Sequence, residues 1–187
     1  MITFLLVFAF LSVLMIALQV KYCIICDSGT ANPRPYSLSR LQLVWWTTLV
    51  IACYSSIVIL CGSAPNLTDS TLWLLGIGSL TTASARLIDI SDQNSGNALI
   101  SINSARQGFW LDILSDQTGV SIHRLQAVLF NALFGGWFFY TSCKNLELLK
   151  SSQLTADKVM PVIAQNNLIL LGISAGTYVA LKSTENK

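Results

Sequence analysis

Leu41-Gln42-Leu43-Val44-Trp45-Trp46-Thr47-Thr48-Leu49-Val50-Ile51-Ala52-Cys53-Tyr54-Ser55-Ser56-Ile57-Val58-Ile59-Leu60-Cys61 carries no charged residue, and the charge-free run continues to Thr68. A helix of about 20 residues rises roughly 30 Å, the thickness of a bilayer's hydrocarbon core. Gly62-Ser63-Ala64-Pro65-Asn66 follows as a turn. This stretch reads as a transmembrane helix.

Outward from it, residues 1–20, 70–85, 125–143 and 159–181 are equally free of Asp, Glu, Lys and Arg. The chain of 187 residues is 53% hydrophobic and only 11% charged, against about 25% charged in soluble domains. The expected segments are Ile2 to Val20, Leu41 to Cys61, Thr71 to about Arg86–Ile88, Leu125 to Cys143, and about Asn166 to Leu181. The fold class read from them is an all-α membrane protein with about five transmembrane helices. A net charge of +2 excludes a polybasic nucleic-acid binder and a disordered acidic tail. One His and five Cys are too few for a metal enzyme or a disulfide framework, so no cofactor or metal is expected.

The first segment lacks a positive n-region, and no small-x-small cleavage site precedes Lys21. It reads as an uncleaved anchor with its N-terminus outside. The inner loops and C-terminus then hold Lys21, Arg34, Arg40, Arg86, Arg106, Arg124, Lys182 and Lys187, and the outer loops hold Lys144, Lys150 and Lys158. That bias follows the positive-inside rule and puts the C-terminus in the cytoplasm.

An internal echo organises the rest. Ser37-Leu38-Ser39-Arg40-Leu41-Gln42 recurs 84 positions later as Ser121-Ile122-His123-Arg124-Leu125-Gln126. Leu74-Leu75-Gly76-Ile77-Gly78 recurs 96 positions later as Leu170-Leu171-Gly172-Ile173-Ser174. Leu-rich helices resemble one another, so chance is the alternative; the polar Ser, Arg and Gln in register favour duplication. The expected organisation is an N-terminal anchor helix and juxtamembrane segment (1–30), a first helical hairpin (31–90), an inner loop with an amphipathic segment (91–120), and a second hairpin (121–187). Both hairpins start on the inner side and so form parallel repeats.

The polar positions of each repeat invite a physical reading. Ser37 and Ser121 fit as N-caps whose hydroxyls accept from free helix N–H groups. Arg40 and Arg124 then sit where the helix dipole disfavours a cation by about 0.3–1 kcal/mol. Lipid phosphate offsets that, or an ion pair with Asp89, Asp92, Asp112 or Asp116 does. Small residues mark the second half of each hairpin: Gly76, Gly78 and Thr82 in one, Gly172, Ser174, Gly176 and Thr177 in the other. They suit close helix packing, with a pore lining as the alternative. Asn131 and the Thr47/Thr48 pair suit interhelical hydrogen bonds. Phe109 and Trp110 open a short amphipathic stretch expected at the inner interface. Ser91 to Ser104, rich in Ser, Asn and Gly, reads as a mobile surface for a protein partner.

Catalytic signals are weak. Cys23-Ile24-Ile25-Cys26 could be half a zinc site, a redox pair or an acylation site. No second such pair exists and His123 is the only histidine, so the expectation is juxtamembrane cysteines without a chemical role and without a disulfide. Asp112, Asp116, Thr118 and Gly119 lack calcium-loop spacing. Coupled transport is disfavoured because the core spans hold no ionisable side chain of the proton- or sodium-carrying kind.

Three motifs carry a resemblance: Pro35-Tyr36-Ser37-Leu38-Ser39-Arg40-Leu41-Gln42; Gly108-Phe109-Trp110-Leu111-Asp112-Ile113-Leu114-Ser115-Asp116 continuing through Gly119 and Ser121 to His123-Arg124-Leu125-Gln126; and Leu170-Leu171-Gly172-Ile173-Ser174-Ala175-Gly176-Thr177-Tyr178. In these the chain resembles a family of small bacterial inner-membrane proteins, largely without assigned function. The resemblance spans about residues 35–182 and implies a fold and a location, not an activity. The expected function is therefore a non-enzymatic membrane anchor or scaffold, forming homo-oligomers in lipid and holding a partner through its cytoplasmic loops. A subunit of an oligomeric channel or pore is the alternative.

Overall fold

The computed structural model describes residues 1–27, 29, 31–94, 105–116 and 119–183, with the side chains of Gln93 and Asp116 left aside. Among the described residues there are six α-helices: α1 (Ile2–Tyr22), α2 (Leu38–Cys61), α3 (Asp69–Asn94), α4 (Phe109–Leu114), α5 (Ile122–Lys150) and α6 (Gln165–Lys182). Two short strands, β1 (Ser115–Asp116) and β2 (Gly119–Val120), pair antiparallel between α4 and α5.

Local chemistry sets the helix ends. α2 stops at Gly62, whose φ of 69° is the left-handed conformation that glycine adopts without steric cost, and its N–H closes on the Val58 carbonyl. α1 ends the same way at Cys23, φ 54°, with its N–H on the Gln19 carbonyl. α3 opens with Asp69 in its first turn, the sign its dipole favours.

α2 packs against α1, α3 and α5, while α6 packs against α3 and α5. The helices α2, α3, α6 and α5 thus close a four-membered ring, and α1 lies across α2 and α5. Trp46, Leu49, Cys53, Phe138, Leu146 and Leu171 fill the main core. Phe4 of α1 is buried beside Phe8 and Phe139, with ring centroids 6.1 and 5.1 Å away. The link between α5 and α6 folds back on the ring: Val159, Met160 and Ile163 are buried, and the Ile163 N–H donates to Ser70 Oγ at 3.2 Å. A second cluster, Leu38, Ala85, Ile113, Ala127 and Tyr178, fills the opposite end.

The outer faces are apolar. Leu6, Phe10 and Ile16 of α1, Leu80 and Leu87 of α3, Leu129 and Leu133 of α5, and Ile173 of α6 are all exposed. A soluble monomer does not leave that much contiguous apolar surface in water. Three helices are long and apolar enough to cross a membrane: α1, α2, and α3 as far as Asp92. In α5 and α6 the apolar character is diluted by Gln126, Asn131 and the Gln165-Asn166-Asn167 run.

The helices overrun the expected segments. α3 continues past Arg86–Ile88 to Asn94, and α5 runs from Ile122 to Lys150 instead of Leu125 to Cys143. Charge marks where a helix leaves hydrocarbon, not where its hydrogen bonding ends. Ser91 to Asn94, expected in the mobile loop, are therefore helical; the rest of that stretch, residues 95–104, lies outside the described residues.

Candidate functional site

The segment that follows α1 meets the C-terminal ends of α3 and α6 at one end of the bundle, and a charge cluster joins the three. Lys182 Nζ lies 3.2 Å from Asp89 Oδ1 and 3.6 Å from Asp27 Oδ2. The Lys182 and Asp89 side chains are each 3% exposed. Burial alone disfavours the ammonium, but Tyr178, Asp27 and Asp89 outweigh it and raise the Lys182 pKa above its ordinary value. An ammonium also suits the negative ends of converging helix dipoles. The sequence reading named Asp89 and Lys182 separately and did not join them; Asp27 it missed. The partners come from three distant elements, and no periodicity links them.

Beside this cluster the Arg106 guanidinium ties the chain segments together. Its Nε donates to the Arg34 carbonyl at 2.9 Å, and its face lies 4.3 Å over the Tyr36 ring. Its Nη2 lies 3.5 Å from Cys23 Sγ and 3.3 Å from Cys26 Sγ. Those two cysteines are joined by a disulfide, contrary to the expectation of unpaired thiols. The left-handed turn at Cys23 reverses the chain and brings the two Cα atoms to 5.2 Å, within the span a disulfide needs. Cys26 then pairs with Tyr36 in an antiparallel bridge.

The predicted capping serines occupy the N-cap positions of α2 and α5, with nearly equal backbone angles (−105°, 122° and −94°, 124°). Neither hydroxyl caps its helix; Ser37 Oγ instead meets Ser39 Oγ at 3.3 Å. Asp112 reaches neither arginine by the contacts it makes. Its two oxygens accept the N–H groups of Tyr36 at 3.1 Å and Gln107 at 2.9 Å, so it fastens α4 to the entrance of α2. Arg124 lies 5.5 Å over the Tyr178 ring. The side chain of Asp116 lies outside the described residues, and Arg40 is half-buried at the α2 entrance. In α4, Ile113 is buried and Trp110 faces outward at 65% exposure, while Phe109 meets Tyr36 edge-on at 5.4 Å.

The small residues divide into two groups. A Cβ at Gly78 would stand 3.4 Å from Leu43 Cδ1, so Gly78 lines the α2–α3 contact. The Thr82 hydroxyl donates to the Gly78 carbonyl of its own helix at 2.9 Å and lies 3.3 Å from the Ser39 carbonyl across it. Gly172 faces Ile77, and Ser174 is buried. Gly76 and Gly176 have open space where a Cβ would stand, and Thr177 bonds within its own helix to the Ile173 carbonyl at 2.9 Å. The tightest approach was missed: the Trp45 ring occupies the place a Gly135 Cβ would need. A Gly-Gly pair inside an aromatic-rich segment was the available signal.

Along the ring's axis the Trp46 Nε1–H donates to Asn131 Oδ1 at 2.6 Å, and the Trp45 Nε1–H donates to the Asn131 carbonyl at 3.2 Å. Asn131 thus makes the expected interhelical bonds. Thr48 does not; its hydroxyl donates to the Val44 carbonyl of its own helix. A cavity of about 20 Å³ remains among Gln42, Trp46, Thr81 and Asn131. At the far end a groove of about 720 Å³ opens between α3 and α6, walled by Trp73, Val162, Ile169 and Gly172. Among the described residues no group of three or more His, Cys, Asp or Glu could hold a metal ion. No family model, no curated protein and no solved structure matches the chain.

Proposed function

We propose that the protein is a multipass anchor of the bacterial inner membrane that presents a fixed polar end to a cytoplasmic protein partner. The observation that supports this reading is the filled interior: Trp46, Leu49, Cys53, Phe138 and Leu171 are buried between the helices. The cavity beside Asn131, about 20 Å³, has room for roughly one water, which favours a packed support over a conduit. The polar end is held together because the segment after α1, α3 and α6 are joined there through Lys182. α5 and α6 count as the fourth and fifth spans in this reading, since they complete a ring with α2 and α3 and turn Leu129, Leu133 and Ile173 outward. The N-terminus lies outside and the C-terminus in the cytoplasm, as the Lys/Arg bias requires. The outward groove beside Trp73 suits lipid acyl chains.

Internal duplication is supported by geometry at the two helix entrances. Ser37 donates its N–H to the Ile25 carbonyl and Ser121 to the Leu114 carbonyl, both at 2.8 Å. The residue before each serine, Tyr36 or Val120, sits in an antiparallel pair. Open faces at Gly76 and Gly176 support homo-oligomers packed through small residues. They also give the second reading, a pore between copies.

Flux from liposomes separates the two. Reconstituted protein should pass no ions, and reproducible unitary currents in a planar bilayer would contradict the anchor reading. For the partner surface, deleting residues 94–98 should leave folding intact and abolish crosslinked partner capture. Unchanged capture would remove the loop from the account.

A further inference from the structure

We propose that Cys23 and Cys26 form a reversible dithiol–disulfide site, exchanging with a small thiol donor and held in its reduced form by Arg106. Three observations support it together. One guanidinium nitrogen stands within 3.5 Å of both sulfurs, an arrangement that stabilises a thiolate and that a structural disulfide, which carries no charge, does not need. The Gln19 amide aims a second donor at the same atoms, 3.7 Å from Cys23 Sγ and 3.4 Å from Cys26 Sγ. The two sulfurs also differ in access: Cys26 is fully buried, while Cys23 is partly exposed.

That difference assigns the roles. A donor thiol loses its proton to water, and the thiolate attacks Cys23 Sγ. The S–S bond between Cys23 and Cys26 breaks as the new bond to Cys23 forms. The electron pair leaves on Cys26 Sγ, as a thiolate facing the Arg106 and Gln19 donors. A second donor thiolate then attacks the donor sulfur of the mixed disulfide and releases Cys23, which takes up a proton. Two donor thiols are oxidised to one disulfide, and the protein pair is reduced by two electrons. A leaving group of lowered pKa departs faster, so Arg106 favours both the rate and the reduced state. Disulfides of cytosol-facing proteins are usually of this exchanging kind.

The test uses the full chain in detergent with Cys53, Cys61 and Cys143 replaced by Ser, equilibrated in glutathione redox buffers and read by thiol-alkylation gel shift. The pair should titrate as one two-thiol step, and the reduced protein should show thiolate absorbance at 240 nm at pH values below the ordinary thiol range. Arg106→Ala should lower the reduced-to-oxidised ratio about tenfold at fixed glutathione, equivalent to about 30 mV for two electrons. Arg106→Lys should retain most of the parent value. If Arg106→Ala fails to fold, the absorbance titration of the parent decides alone. A pair that resists glutathione, that titrates as an ordinary thiol, or whose ratio is equal in parent and Arg106→Ala overturns the proposal.

Discussion

Lys182→Met tests the charge cluster most simply, because it removes the ammonium and leaves Asp89 buried without its counter-charge. Removing one partner of a buried pair costs about 3–5 kcal/mol. Thermal unfolding in mild detergent should show that loss, and Lys182→Met combined with Asp89→Leu should recover most of it. Equal stability of the single variant and the parent would show that the cluster is solvated. At this scale the sequence was legible where the chemistry is local. Ser37 and Ser121 stand at the helix starts they were assigned because the following residues alone define those starts. Arg106 on the cysteines, and Asp27 and Asp89 on Lys182, join residues 72 or more positions apart or sit where three elements converge. No spacing rule connects them.

Between elements, the sharpest expectation concerns α2 against α5. Gly135→Ala drives a methyl into the Trp45 ring, and overpacking of this kind costs about 1–3 kcal/mol. Adding Trp45→Leu should restore much of the loss, with helicity and unfolding temperature as the readouts. α4 supplies a contrast. Ile113→Ala, at a buried site, should destabilise by about 2–5 kcal/mol, whereas Trp110→Ala should change stability by less than about 0.5 kcal/mol. A large loss at Trp110 would mean that it is covered by something besides lipid. Helix existence was plain from the charge-free runs, because only lipid or a wholly apolar core tolerates them. Helix ends were not plain. Arg86, Asp89 and Asp92 resemble a loop by composition, yet Asp89 and Asp92 are buried within α3, Asp89 there facing the Lys182 ammonium.

For the molecule as a whole, α1, α2 and α3 are long and apolar enough to cross a membrane, and a ring of four helices packs around buried Trp46, Leu49, Phe138 and Leu171. Mixed composition hid this arrangement: α5 and α6 look marginal alone, yet Asn131 is used inside the ring by Trp45 and Trp46, while Gln126, Gln165 and Asn166 are exposed near the helix starts. Assembly of copies belongs to the same scale. Gly176, on an open face of α6, should tolerate Leu within the monomer, while Gly176→Leu should lower the oligomer mass in mild detergent; an unchanged mass would release that face from any packing role. The proposed five-span topology, with the charged end facing the cytoplasm, is tested most directly by labelling with a membrane-impermeant thiol reagent. In a background without native cysteines, Ser151→Cys should be labelled in intact cells and Asn94→Cys only after permeabilisation. Labelling of Asn94→Cys in intact cells, or of both positions from the same side, would contradict the account.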